Sequence, residues 1–195
     1  MASQDQHDST ALWPDAALVA FLIGFDVAAR LLLHLPNVSP IAASALFAGM
    51  MLRRRSLAPA VPLAAMLIGD AATGFYDWRV MIVVYVALTL PALAGIAARR
   101  FRATRVVVPT VVACSLIFFA ATNFAVWAFS GMYSADVAGL LQCYAAALPF
   151  LKNTVVGDLL WAAVLFGGAI VVRRFTTHHP AAEPAPRAGA GTAVL

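Results

Sequence analysis

The sequence predicts an all-α fold: a polytopic membrane bundle of six transmembrane helices with both termini cytoplasmic, plus a short interfacial helix between spans five and six. Three observations predict it. Hydrophobic residues make up 63% of the chain and charged residues only 11%, whereas about a quarter of a soluble domain is charged. The apolar residues fall in long runs. Clusters of Arg follow every second run.

The apolar runs divide the chain into three parts. Residues 1–10 form a polar tail without Lys or Arg, so the basic region of a secretory signal is missing and the first apolar run is expected to remain as a helix. Residues 11–174 form the transmembrane domain, and residues 175–195 are expected to be a disordered cytoplasmic tail. The predicted spans are residues 11–35, 40–52, 57–76, 80–98, 106–130 and 154–172. The second is the weakest, because a full crossing takes about 20 residues.

Arg residues predict the topology, because cytoplasmic loops of membrane proteins are enriched in Lys and Arg. The clusters lie at residues 53–55, 99–105 and 173–174, and all three are cytoplasmic if the N-terminus is inside. A seventh span over residues 137–151 would put the last cluster outside, so we predict a six-span membrane protein. The net charge of +4 then reflects topology and anionic lipid headgroups, and no nucleic-acid partner is expected.

Span one carries two patterns with a spacing of four residues. A small-residue ridge would let another helix approach its backbone closely, and it consists of Ala16, Ala20, Gly24 and Ala28. A polar ridge lies about 200° around the helix from it and consists of Asp26, Arg30 and His34. We expect the small-residue ridge to dock a partner and the polar ridge to face the bundle interior, with Asp26 and Arg30 paired. Such a pair can equally serve only to hold helices in register.

Further polar groups approach the same outer side of the membrane from other spans. They are Asn37 in the turn after span one, Asp70 in span three, Asn123 in span five and Asp158 in span six. Ionisable residues within a membrane mark functional sites by default, so we expect these groups to share one cavity that binds a small solute. The alternative is a purely structural polar network.

The segment between spans five and six has the pattern of an interfacial helix over residues 137–151. Ser134 is expected to cap it with Asp136 in its first turn, and Pro149 is expected to disrupt its end. Tyr133 and Tyr144 would then belong to a lid over the cavity. Cys114 and Cys143 are expected at different depths, with no disulfide, no metal and no cofactor, and His178 and His179 lack further ligands.

Three stretches carry a resemblance to a known family: TNFAVW, MYSADVAGLLQCY and PFLKNTVVGD. The chain from residue 31 to residue 168 resembles a family of small, functionally uncharacterised bacterial six-span membrane proteins, which implies a multi-pass protein of the bacterial inner (cytoplasmic) membrane. In architecture it is also similar to the substrate-binding S components of energy-coupling-factor vitamin transporters. That resemblance implies solute uptake with an energising transporter module as partner. The cobalamin type implies a cobalt-ligating cysteine between spans three and four, and TGFYDWR has none.

Three classes of function remain at this point. The first is a component for binding or uptake of a small solute. The second is a membrane scaffold or assembly factor, in which the same polar groups only pair helices. The third is intramembrane aspartyl chemistry by Asp70 and Asp158, since two carboxylates can share a proton. No catalytic residue is predicted, because the motif that surrounds known intramembrane aspartyl catalysts is missing.

Overall fold

The structure, a computed structural model, describes residues 13–33, 37–101 and 103–177. These residues form an all-helical fold without strands, which confirms the predicted fold class at that level. The helices are α1 (Trp13–Leu32), α2 (Ile41–Met51), α3 (Ala60–Thr73), α4 (Trp78–Ala98), α5 (Ala103–Phe129) and α6 (Val137–Thr177), with a 3₁₀ turn at Arg55–Leu57. The predicted N-terminal tail, His34 and residues 178–195 lie outside the described residues.

Four helical segments are long and apolar enough to cross a membrane, which is the pattern of an integral membrane protein. They are Arg55–Thr73, Trp78–Ala98, Arg105–Phe129 and Val137–Phe175. The other two helices differ from them. α1 carries three charged residues, and α2 has eleven residues. The predicted count of six spans therefore stays a prediction.

Helix α2 lies at the centre of the bundle although it is the shortest α-helix described. It is about 16 Å long, half the thickness of the hydrocarbon core. Eight of its eleven residues are buried, and it packs chiefly against α4 and also against α6 and α3. Most of its residues are small, so neighbouring helices can approach on every side. The weakest predicted span is thus a core helix.

Two glycines allow α2 and α4 to cross in backbone contact. A Cβ atom on Gly49 would lie 2.2 Å from the carbonyl oxygen of Ala92, and one on Gly95 would lie 2.4 Å from that of Leu46. Both distances are far below van der Waals contact, and the opposing atoms are backbone. The crossing therefore requires glycine at both positions.

The Arg clusters lie at one end of the bundle. Asp15, at the start of α1, accepts hydrogen bonds from the backbone N–H groups of Arg53 and Arg54 at 3.1 and 2.8 Å. Arg99, after α4, donates to the carbonyl of Gly49 at 2.7 Å and also to that of Leu52, so it caps the end of α2. Because α5 begins directly after α4 and α6 runs antiparallel to α5, the cluster at 173–174 lies at this end too.

The predicted break between an interfacial helix and span six is wrong, because α6 is continuous over 41 residues with Pro149 inside it. It is about 62 Å long, twice the hydrocarbon thickness. Proline removes only one helical hydrogen bond, and the packing of α6 against α5 sustains the helix past this residue. α6 also continues to Thr177, past the predicted start of the tail at residue 175.

The N-cap of α6 is Asp136 rather than the predicted Ser134. The Asp136 carboxylate accepts a hydrogen bond from the Gly139 N–H at 2.7 Å and one from the Ser134 hydroxyl at 2.8 Å. These two hydrogen bonds hold the pKa of the Asp136 carboxyl group below its usual value, and the bond from Gly139 has the larger effect. Ser134 supports the capping carboxylate.

Candidate functional site

A cavity of about 440 Å³ lies between the helices, and every one of the six contributes to its lining. This volume falls within the range of small-molecule sites. Its walls include the rings of Phe118, Phe119 and Phe150. Its polar lining comes from Arg30, Asn37, Ser39, Tyr76, Cys114, Ser115, Thr122, Asn123, Thr154 and Asp158.

The structure brings some of the predicted site residues to this cavity and leaves others away from it. Those in the lining are Arg30, Asn37, Asn123 and Asp158. Those not in the lining are Asp26, Asp70, Tyr133 and Tyr144. His34, the remaining predicted site residue, lies outside the described residues.

Arg30 pairs with Asp70, so the predicted pair of Asp26 with Arg30 is wrong. Its guanidinium group forms an ion pair with Asp70 of α3 and also contacts the Met66 sulfur at 3.1 Å. Tyr85 of α4 donates to the other Asp70 oxygen at 2.9 Å. Asp70 is fully buried, and Arg30 supplies the counter-charge of its carboxylate.

Both Gly-Asp pairs of the sequence have a packing reason. A Cβ atom on Gly69 would lie 2.6 Å from Arg30 Cδ, so this glycine leaves the space through which Arg30 reaches Asp70. A Cβ atom on Gly157 would lie 3.2 Å from Val38 Cα, so the second glycine admits the linker between α1 and α2. The shared Gly-Asp pattern therefore comes from two different close approaches.

Asp158 is the buried carboxylate of the cavity wall. Its side chain is 6% exposed, and its Oδ2 accepts a hydrogen bond from the Ser115 hydroxyl of α5 at 2.7 Å. Asp70 and Asp158 thus have different partners on different helices. This arrangement gives no support to a proton shared between them.

Asp26 lies between α1 and α2, away from the cavity. It is fully buried and accepts a hydrogen bond from Ser44 at 2.7 Å. Its Oδ2 has no hydrogen-bond partner among the described residues, and the same is true of Trp161 Nε1. On this evidence Asp26 connects two helices and does not touch a ligand in the cavity.

The two predicted lid tyrosines are placed outside the cavity. Tyr144 donates to the Ala120 carbonyl at 2.6 Å and packs edge-on against Phe119, with ring centroids 5.6 Å apart. Because Phe119 lines the cavity, Tyr144 supports its wall from behind. Tyr133 lies half-buried in the linker before α6.

Sequence reasoning missed three hydroxyl groups that hold the carboxylates. They are Ser44, Tyr85 and Ser115. A signal for each existed, because a hydroxyl inside an apolar run must find a partner in a membrane. The sequence could not say which carboxylate each would meet.

In the described part of the chain, no group of three or more His, Cys, Asp or Glu side chains is close enough together to hold a metal ion. Cys114 and Cys143 are both free thiols, and Cys143 contacts the Asn123 carbonyl at 3.4 Å.

No curated protein and no solved structure matches the chain. The likeness to transporter S components accordingly stays a prediction. The profile of a family of unknown function (DUF6580) matches residues 10–182, which is most of the 195 residues. The chain belongs to this family.

Proposed function

We propose that this membrane protein binds a small solute in its central cavity and takes part in the uptake of that solute. The observation that carries the proposal is the cavity of about 440 Å³ that all six helices line. Charged and polar groups within apolar helices are costly in a membrane, and they occur there where they serve a pathway or a site. Here Arg30, Asn123 and Asp158 line one cavity.

The arrangement of Arg30 supports binding, because its position is fixed before any solute arrives. Asp70 and Met66 hold its guanidinium group, and Tyr85 holds Asp70. A preorganised polar group loses little conformational entropy when a ligand binds. The cavity also has aromatic walls for the apolar part of a solute.

The small-residue ridge of α1 supports docking of an energising partner. All four of its residues are exposed on the face of α1 that points away from the bundle, and a Cβ atom on Gly24 would meet no atom within 4 Å. Such a surface lets another helix approach closely. Docking at Ala16, Ala20, Gly24 and Ala28 is part of the uptake proposal.

Cavity filling tests the proposal with a matched pair of variants on α6. Ala147 is 8% exposed and lines the cavity, whereas the neighbouring Ala146 is exposed. Native mass spectrometry of the purified wild type is expected to show a co-purifying small molecule. Ala147→Phe should lose that molecule because the ring occupies its space, and Ala146→Phe should keep it.

Two results would contradict solute binding. One is a wild-type protein that carries no small molecule when it is purified from cells grown on rich medium. The other is a molecule that Ala147→Phe retains as well as Ala146→Phe does. Melting temperatures of both variants without ligand serve as the folding control.

The second candidate function is a membrane scaffold, which one specific observation favours. Three buried carboxylates bind side chains of neighbouring helices, Asp26 to Ser44, Asp70 to Arg30 and Tyr85, and Asp158 to Ser115. Interhelical polar contacts of this kind stabilise bundles without any ligand. Either of the two results that would contradict solute binding would favour the scaffold function.

A further inference from the structure

We propose that the solute of the cavity is a protonated organic amine, held by Asp158. This inference rests on the proposed function and gives the chemical class of the solute. It starts from the charges of the lining. Among the described residues of the lining, Arg30 is the cation and Asp158 is the carboxylate. Arg30 already has its counter-charge in Asp70.

Asp158 has no such partner in the described part of the chain. Its hydrogen bond there comes from the neutral Ser115 hydroxyl, which occupies Oδ2, and no Lys or Arg forms an ion pair with it. A buried carboxylate within an apolar helix is costly without a compensating positive charge, and Asp158, unlike Asp26, borders a cavity from which a ligand can supply one. A ligand ammonium group in the cavity would supply that charge.

The neutral groups of the wall favour a hydrogen-bond donor. The hydroxyls of Thr122 and Thr154 donate to the carbonyls four residues earlier at 2.8 and 2.9 Å, so only their acceptor lone pairs remain. Asn123 also spends an N–H on its own helix, at 2.8 Å, and retains its side-chain carbonyl oxygen. Together with Asp158 these groups offer acceptors on the walls formed by α5 and α6, which matches an ammonium group with its three donors.

The start of α2 favours a ligand that also carries a hydrogen-bond acceptor. Ser39, Ile41 and Ala42 border the cavity there, and the N-cap, Pro40, provides no side-chain hydrogen bond to the first N–H groups. These groups are donors for an acceptor atom on the ligand. A simple anion could also use them, but it would share the cavity with Asp158 while Arg30 is already paired. An amine that carries a hydroxyl or carbonyl acceptor matches the charge of Asp158, the acceptor groups of the wall and the N–H groups at the start of α2.

Two sets of matched probes test the class of solute. The aromatic set is tyramine, tyrosol and 4-hydroxyphenylacetate, and the aliphatic set is 4-amino-1-butanol, 1,4-butanediol and 4-hydroxybutyrate. Within each set the body is conserved and the charge at neutral pH is positive, zero or negative. Native mass spectrometry and thermal melting of the wild type at millimolar probe should show binding by at least one amine, and weaker or no binding by its neutral and anionic counterparts.

Asp158→Asn identifies the group that selects the charge. The variant retains size and hydrogen bonding but loses the negative charge, so the affinity for the amine should fall by about tenfold or more. Asp77→Asn is the matched control, because Asp77 caps α4 through the N–H groups of Arg79 and Val80 and does not line the cavity. Asn is also a good N-cap, so this variant should bind like the wild type.

Three outcomes of these experiments would overturn the inference. If a neutral or anionic probe binds best and Ala147→Phe abolishes its binding, the cavity binds solutes but the amine assignment is wrong. If Asp158→Asn binds the amine as tightly as the wild type does, Asp158 is not the counter-charge. If none of the six probes binds the wild type, the assignment also fails. The comparison within each probe set uses the wild type, so it stands even if Asp158→Asn does not fold.

Discussion

Three buried aspartates that look alike in the sequence have different surroundings in the structure. Asp70 meets a cation and a phenol, whereas Asp26 and Asp158 each meet one serine. That polar groups inside apolar runs would matter was predictable from the cost of burying them. Which partner each would find was not, because the choice between Asp26 and Asp70 for Arg30 depends on how α1 packs against α3. Spacing along α1 suggested the wrong pair.

The difference between the carboxylates leads to a prediction about stability. Asp70→Asn should destabilise the protein by roughly 1 to 3 kcal/mol, because it leaves Arg30 without its counter-charge; the value is below that of a fully buried pair since Arg30 is 27% exposed. Asp158→Asn is the matched control and should change stability much less, because no cation is left unpaired. Thermal melting in detergent measures both. Equal losses in the two variants would contradict the assigned pairing.

At the scale of elements, the sequence could predict where the long apolar helices lie. It could not predict how the helices pack against one another or whether a helix continues past a proline. α3, α4 and α5 fall within the predicted spans to within a few residues, because a long apolar run has few alternatives to a helix. α2 shows the limit. A short apolar helix has the same sequence pattern in a protein core as in a membrane span. Its central position depends on small residues at its contacts, such as Gly49 of α2 and Gly95 of α4. Pro149 shows another limit, because local propensity favours a break there and packing overrides it.

The crossing of α2 and α4 gives the prediction for this scale. Gly95→Ala should destabilise the bundle by about 1 to 3 kcal/mol, because its Cβ would meet the Leu46 carbonyl and the two backbones must separate. Gly24→Ala is the control, since a Cβ there meets no atom within 4 Å, and it should be neutral or slightly stabilising. Melting temperatures of the two variants in the same detergent decide the matter. A Gly95→Ala protein that melts with the wild type would show that the crossing is looser than described.

At the scale of the whole molecule, the Arg clusters that were predicted to share one side of the membrane lie at one end of the helical bundle. The clusters at 53–55 and 99–105 meet at one end of the bundle, where Arg99 and the residues after α2 are joined by hydrogen bonds. Charge in the sequence could predict this common end because it reflects membrane insertion rather than packing. The cavity could not be predicted in this way, because its volume depends on how six helices fit together.

Reporter fusions test the topology of the whole chain. Fusions after Arg55, Arg105 and Arg174 should report the cytoplasm, and fusions at Asp77 and Ser134 should report the opposite side. Paired alkaline phosphatase and fluorescent protein reporters give opposite signals at each position and so control for expression. If Arg174 and Ser134 report the same side, α6 does not cross the membrane and the six-span topology is wrong.

The contacts of helix α6 with α5 described above include Cys143 with Asn123 and Asp158 with Ser115. Between these contacts α6 uses fifteen residues, about 22 Å of helix, where α5 uses eight, about 12 Å. Pro149 lies within this longer stretch of α6, and residues of both stretches line the cavity, Phe119 and Thr122 from α5 and Ala147 and Leu151 from α6. We therefore expect an insertion or deletion within the α6 stretch to change the volume available to a solute without replacing Asn123, Ser115 or Asp158.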